Sequence, residues 1–278
     1  MAELAISIDG ALVAPDQASI SVLDRGLLYG DGCFEVLRTW DGVATDLDAH
    51  LDRLFDTVEF LQLRTMPRAA LRAAVERTLA AAGPGEHRIR ILLTRGPGGL
   101  GHRLAELGPG VAVVIVEPLP VQPEAISLAV VDWPLPRRAG HGHKTLAYLD
   151  HLIARELARA AGADEAVRLD IDGNVVEGAT CNLFAVSDDT VITPPIDTGA
   201  LPGIVRRRAL ALCSRLGIST QVRPLGVHEL RSAVELFVTS SLRGVVAVSA
   251  IDGEIRPGGP ITLRLAGAYR HAMRRSDL

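Results

Sequence analysis

The chain opens on two short apolar runs, "LAISI" and "ALV", separated by Asp9-Gly10, and a second pair, "GCFEVLRTW" and "GVATDL", meets at Asp41-Gly42. Asp-Gly between alternating runs is the strongest short signal for a β-hairpin. In the second hairpin, strand alternation places Phe34, Val36, Arg38 and Trp40 on one face and Glu35, Leu37 and Thr39 on the other. The period then lengthens. Leu51, Leu54, Phe55, Val58 and Leu61 recur at helical spacing and predict a helix over 49–61. A second is expected over 67–82, with Pro67 at its start and Gly83 beyond its end. "RIRILLTRG" and "GVAVVIVEPLP" read as strands on either side of the glycine-rich loop "GPGGLGHR".

Pro118, Pro120 and Pro123 punctuate the chain where this first α+β pattern ends. The expected organisation is therefore α+β in two domains: 1–117, a linker over 118–125, and 126–278. The second domain starts with the strand "AISLAVVDWPLP" and continues, after a Gly/His-rich loop, with a helix over 146–161. "EAVRLDIDGNVVEG" is a strand–turn–strand about Asp172-Gly173, followed by "CNLFAVSDDTVITPP", helices over 203–216 and 227–231, a strand over 235–239 and a terminal helix.

Composition narrows the function. At 278 residues, 48% apolar and a formal charge of −4, the chain has material for a full core and no electrostatic pull towards nucleic acid or anionic membranes. Aromatic residues make up 4%, so no base-stacking platform stands out. Cys33, Cys181 and Cys213 are unclustered thiols, which fits a reducing compartment and argues against a zinc site. The start "MAELAISIDG" lacks the pattern of a secretory leader, and no apolar run reaches membrane-spanning length. A cytoplasmic protein is the expectation.

Among 29 Lys and Arg residues, one is lysine: Lys144, in "GHGHKTLAY". An amine can lose its proton and attack a carbonyl carbon, whereas a guanidinium stays charged. Between a loop and an apolar segment such an amine would be partly desolvated and more nucleophilic. The plain alternative is a surface lysine capping a loop. Glu177, at a strand end in "VVEGATCNLF", is either an acid aimed into a cavity or a solvated strand end, with Thr180 and Asn182 as candidate turn residues. In "GALPGIVRRRAL" the amides of Ile204 and Val205 open a helix, an anion site or an ordinary helix start. "VTSS" ends a strand in three hydroxyls, Thr239, Ser240 and Ser241.

Taken together and in order, these segments resemble the class IV aminotransferases, the fold type IV enzymes that use pyridoxal 5′-phosphate (PLP). The resemblance runs from "SVLDRGLLYGDGCFEVLRTWDG" and "DAHLDRLFDTVEFLQL" through "KTLAYLDHLIARELARAAGADEAVRLDIDGNVVEGATCNLFAV" to "LPGIV" and "ELFVTSS". It implies a small α/β lobe and a larger pseudo-barrel β lobe with helices, in a homodimer. It also implies that Lys144 holds PLP as a Schiff base and moves the reaction's proton, and that Glu177 partners the pyridine nitrogen. Arg53 resembles the phosphate-binding arginine, joined by Ile204, Val205, Ser240 and Ser241, and Leu201 the aliphatic residue against the ring.

Substrate class is divided in the sequence. D-amino-acid transaminases resemble "DGCFEV", "TRG" and "ELFVTSS", but their carboxylate trap has Tyr where this chain has Phe34, and Arg-x-His where it has Leu100-Gly101-His102. Aminodeoxychorismate lyases resemble the Gly98-Gly99 loop and the Ser241–Gly244 turn, yet have Asn in place of Ala147. Branched-chain transaminases carry a Thr-Gly-Thr-Ala-Ala-like turn where "TSSLRG" places Leu242 and Arg243. Arg38, Arg103 and Arg243 are candidate substitutes for the trap, each with a salt bridge as its alternative. His143 either orients Lys144 or is idle. The expectation is a ping-pong D-amino-acid transaminase with 2-oxoglutarate or pyruvate as acceptor. Behind it stand the lyase, branched-chain or R-amine transaminases, and a PLP-free binding protein of the same fold.

Overall fold

The computed structural model describes residues 4–99, 101–135 and 142–275. It divides into two compact units, Met1–Val121 with His143–Tyr148, and Gln122–Gly142 with Leu149–Leu278. The change of unit at Val121 falls inside the proline-punctuated stretch. The lysine segment packs with the first unit, although it lies in the second half of the chain.

In the first unit, β1 (Ala5–Ile8) and β2 (Ala11–Val13) form the opening hairpin, and α1 (Arg25–Tyr29) is a single short helix. Then come β3 (Gly32–Trp40), β4 (Val43–Ala44), α2 (Leu47–Leu61), α3 (Arg68–Ala81), β5 (His87–Thr94) and β6 (Ala112–Pro118). The six strands make one sheet in the order β2-β1-β6-β5-β3-β4, antiparallel throughout. Both hairpins turn on Asp-Gly with positive φ at each residue: Asp9 50° and Gly10 82°, Asp41 50° and Gly42 78°. That pair of left-handed residues matches the twist of the flanking strands. Leu37, Ile89, Ile91 and Leu93 of the sheet bury against Leu51, Leu54 and Leu71 of the helices. Each contributes about 1.5–3 kcal/mol of apolar burial.

The second unit contains β7 (Ala125–Val130), α4 (Leu149–Ala160), β8 (Glu165–Leu169), β9 (Val175–Gly178), β10 (Asn182–Ser187) and β11 (Thr190–Thr193). It continues with α5 (Ile204–Arg215), β12 (Ser219–Val222), α6 (Val227–Ser232), β13 (Glu235–Ser240), β14 (Gly244–Ile251), β15 (Glu254–Ile255) and α7 (Pro260–Arg275). The sheet order is β12-β11-β10-β13-β14-β7-β8-β9, with β15 on β14. The pairs β11–β12, β14–β7 and β7–β8 are parallel. Phe184 and Phe237, opposite each other on β10 and β13, stack with centroids 4.5 Å apart inside the unit.

The helix expected from residue 146 begins instead at Leu149. The preceding residues run as an added strand segment along β3: Phe34 N donates to Lys144 O at 3.0 Å and Leu146 N to Gly32 O at 2.9 Å, with a bridge between Cys33 and Thr145. Those backbone groups have a sheet edge to pair with, so they are extended rather than helical.

Candidate active site

Lys144 is held at the face of β3 that carries Phe34. Its Nζ lies 4.5 Å from the Phe34 ring centroid and 5.4 Å from that of Tyr148. The two rings meet edge to face at 5.2 Å. The amine therefore stands against an aromatic wall, with electrostatic attraction to both ring faces. His143 is tied to α2: its ring stacks on Phe60 at 4.2 Å, and its Nδ1 lies 3.3 Å from Thr57 Oγ1. It anchors the residue before the lysine; His141 lies outside the described residues.

Arg53, on α2, is clamped from the core side of β3. Its Nε and Nη2 donate to the two oxygens of Glu35 at 2.7 and 2.8 Å, a bidentate pair. His50 Nδ1 donates to Glu35 Oε2 at 2.8 Å. Burial alone would push the Glu35 carboxyl up, but the Arg53 charge and the two hydrogen bonds overcome it and hold the group at about 2. Burial pushes His50 below its ordinary value, against the pull of Glu35, and the charge on Lys144 adds to the lowering. Sequence reasoning passes over Glu35 and His50. Their signal is a carboxylate among core-facing strand positions, followed by His and Arg three residues apart on one helical stripe.

In the second unit Glu177 ends β9 with its carboxylate buried, and Leu201 N donates to its Oε2 at 2.9 Å. Asn182 Nδ2 donates to Leu201 O at 2.9 Å. The Leu201–Gly203 segment is thus pinned from both sides just before α5. A β-carbon on Gly203 would come within 2.0 Å of Asn182 Oδ1, so only glycine fits. Gly203→Ala is expected to displace this segment, lowering both the melting temperature and PLP affinity; an unchanged binding isotherm would contradict it. No side chain caps α5, leaving the amides of Ile204 and Val205 at its positive end. On the opposing strand Thr239 lies across from Asn182, and its buried hydroxyl has no hydrogen-bond partner among the described residues. Uncapped amides and an orphaned hydroxyl beside Ser240 and Ser241 fit an anionic phosphate.

The remaining candidates are engaged locally. Arg38 lies toward the far end of β3, its guanidinium over Trp40 at 4.0 Å and 3.7 Å from Glu86. His102 Nδ1 accepts the Gly99 amide at 3.0 Å, and Arg103 begins a single 3-10 turn in which its amide donates to Glu106. Leu242 and Arg243 lie in the β13–β14 turn, where Arg243 Nη1 is 3.4 Å from Glu165 Oε2. Leu100 lies outside the described residues.

Comparison with known proteins places this set of groups. Residues 32–251 match the model of the family described as amino-transferase class IV. The chain belongs to the class IV aminotransferases. It is 35% identical over 274 residues to a putative branched-chain-amino-acid aminotransferase of Methanocaldococcus jannaschii, covering 95% of each chain. Among solved structures it is similar to a branched-chain aminotransferase from Thermoproteus uzoniensis with norvaline, at a TM-score of 0.92 and 30% identity, covering 98% of this chain and 95% of that one. It is also similar to a T.th. branched-chain amino acid aminotransferase complexed with N-(5′-phosphopyridoxyl)-L-glutamate, at a TM-score of 0.90 and 28% identity, covering 98% and 94%. A D-alanine aminotransferase of Bacillus licheniformis (28% identity, 96% of each chain) and an aminodeoxychorismate lyase of Vibrio harveyi (30%, 90% and 96%) match as well.

The chain is therefore a PLP-dependent class IV transaminase with the type IV fold. The D-amino-acid preference expected from the sequence gains no support from the similar structures cited, which are branched-chain aminotransferases. Among the described residues no helix is long and apolar enough to cross a membrane.

Proposed function

We propose that the enzyme transfers the amino group of branched-chain and other apolar L-amino acids to an oxo acid such as 2-oxoglutarate, in two half-reactions. The aromatic wall beside Lys144 carries this reading. Phe34 and Tyr148 offer ring surface next to the reacting amine, and Phe34 has no hydroxyl for the carboxylate trap of the D-amino-acid enzymes. The similarity to branched-chain aminotransferases points the same way.

PLP supplies the aldehyde carbon that takes the amino group and the ring that accepts the electron pair left at Cα. Lys144 Nζ would hold the cofactor through its aldehyde carbon and, as a free amine, would serve as the base and acid that carries the substrate's Cα proton. Glu177, aimed by the Leu201 amide, would keep a proton on the pyridine nitrogen. Arg53, fixed by Glu35, would offer its guanidinium to the phosphate, and the amides of Ile204 and Val205 and the hydroxyls of Ser240 and Ser241 are the second unit's groups that would bind it. Leu201 would lie against the ring.

The test is a panel of half-reactions on purified holoenzyme, following loss of the visible cofactor band. L-Leu, L-Val and L-norvaline should bleach it, with D-Ala and R-phenylethylamine slower by about tenfold or more. Faster reaction with D-Ala would return the assignment to D-amino acids, and pyruvate release from aminodeoxychorismate would make it a lyase.

We further propose a homodimer in the cytoplasm. Val22, Leu23, Leu27 and Leu28 expose large apolar side chains on and just before α1, a patch that a second copy would cover. Leu27→Asp should shift the light-scattering mass towards the monomer; a wild-type monomer would contradict this.

A further inference from the structure

Glu165 begins β8 with its carboxylate fully buried. A buried charge is kept only with hydrogen bonds and a counter-charge. Its Oε2 supplies both: it accepts the Thr180 hydroxyl and lies 3.4 Å from Arg243 Nη1. Thr180 sits in the tight turn Gly178–Cys181, closed by Gly178 N donating to Cys181 O at 2.7 Å, directly after Glu177. Arg243 sits in the turn directly after Ser240 and Ser241. One carboxylate oxygen therefore joins the turn that follows the acid to the turn that follows the hydroxyls.

The second turn has little freedom to adjust by itself. Gly244 holds a φ of 73°, a left-handed conformation that favours glycine. A β-carbon there would meet Tyr269 at 2.7 Å. Gly244 thus fixes one end of the turn against that ring, and Arg243, immediately before it, is held by Glu165.

We propose that Arg243 is a positioning residue: its pairing with Glu165 sets the Ser240–Leu242 turn for the cofactor phosphate and the substrate carboxylate, and it does not bind the carboxylate itself. The proposal rests on the transaminase reading for its substrate arm alone.

The test is a double-mutant cycle on Glu165→Gln and Arg243→Met, with Arg243→Lys as the charge-conserving variant. PLP affinity of the apoprotein is read by fluorescence, stability by thermal melting, and KM and kcat with an amino acid and an oxo acid. Each single change should weaken PLP binding and raise KM by about tenfold, the scale of a lost supporting contact. The double variant should be no worse than either single and melt above Arg243→Met, since no buried charge is stranded. Arg243→Lys should recover part of the loss. If Arg243→Met raises KM while Glu165→Gln leaves it unchanged, Arg243 touches the carboxylate and the proposal falls. It falls equally if the two effects multiply, or if neither variant alters PLP affinity. The affinity and melting arms remain readable if the substrate assignment is wrong.

Discussion

Lys144→Arg is expected to yield a folded protein that no longer holds its cofactor covalently. The wild-type holoenzyme should be yellow, lose its visible band on borohydride reduction, and return the label on the peptide containing Lys144. The variant should show free-cofactor absorbance, and transamination should fall by roughly 10²–10⁴-fold or more, the range for loss of a positioned acid–base group. Arg is the informative replacement because it keeps the charge and the stacking on Phe34 and Tyr148. What it lacks is a nitrogen that can lose its proton at an accessible pH. The melting temperature should therefore hold while the chemistry disappears. A variant with near-wild-type turnover, or a borohydride label on another residue, would remove the amine from the mechanism.

Much of the first unit can be read from local pattern because local physics decides it. The Asp-Gly turns at 9–10 and 41–42 are where left-handed residues are cheapest, and both hairpins form there. Alternation along β3 separates Phe34, Val36, Arg38 and Trp40, half-buried, from Glu35, Leu37 and Thr39, fully buried. Residues 146–148 read as the start of a helix from local pattern and are not, because Leu146 N donates to Gly32 O, far away in the chain. Periodicity cannot register a partner strand that distant. The uncapped helix start at Ile204 and Val205 is legible from Pro-Gly before a helix. That Asn182 and Glu177 pin the segment leading into it depends on strand ends meeting a loop, which only the fold supplies. Substrate class is least legible. It turns on a few side chains in short turns, and a sequence shows that Arg243 is charged without showing that Glu165 engages it.

Glu35→Gln should show what holds Arg53, the proposed phosphate ligand, in place. The native carboxylate lies within the core and balances Arg53 through two hydrogen bonds. Substitution by the amide keeps the shape but strands a buried guanidinium, a loss of about 3–5 kcal/mol, or of order 10 °C in melting temperature for a chain of this size. PLP affinity should fall with it, because Arg53 is no longer held from behind. The pH dependence gives an independent check. Lowering this carboxyl from 4.5 to about 2 on folding corresponds to about 3 kcal/mol. Because the folded value is the lower one, that stabilisation is complete above pH 4.5 and is lost as pH falls towards 2. His50 acts in the same direction at higher pH. Burial lowers its folded value below 6.5, so unfolding takes up a proton below that pH and stability declines as the solution is acidified. Wild-type protein should therefore lose stability steeply between pH 4.5 and 2, and Glu35→Gln should be flatter across that window. Parallel acid-denaturation curves would mean that Glu35 is not an ionised partner of Arg53, and the electrostatic account of the phosphate end would have to be abandoned.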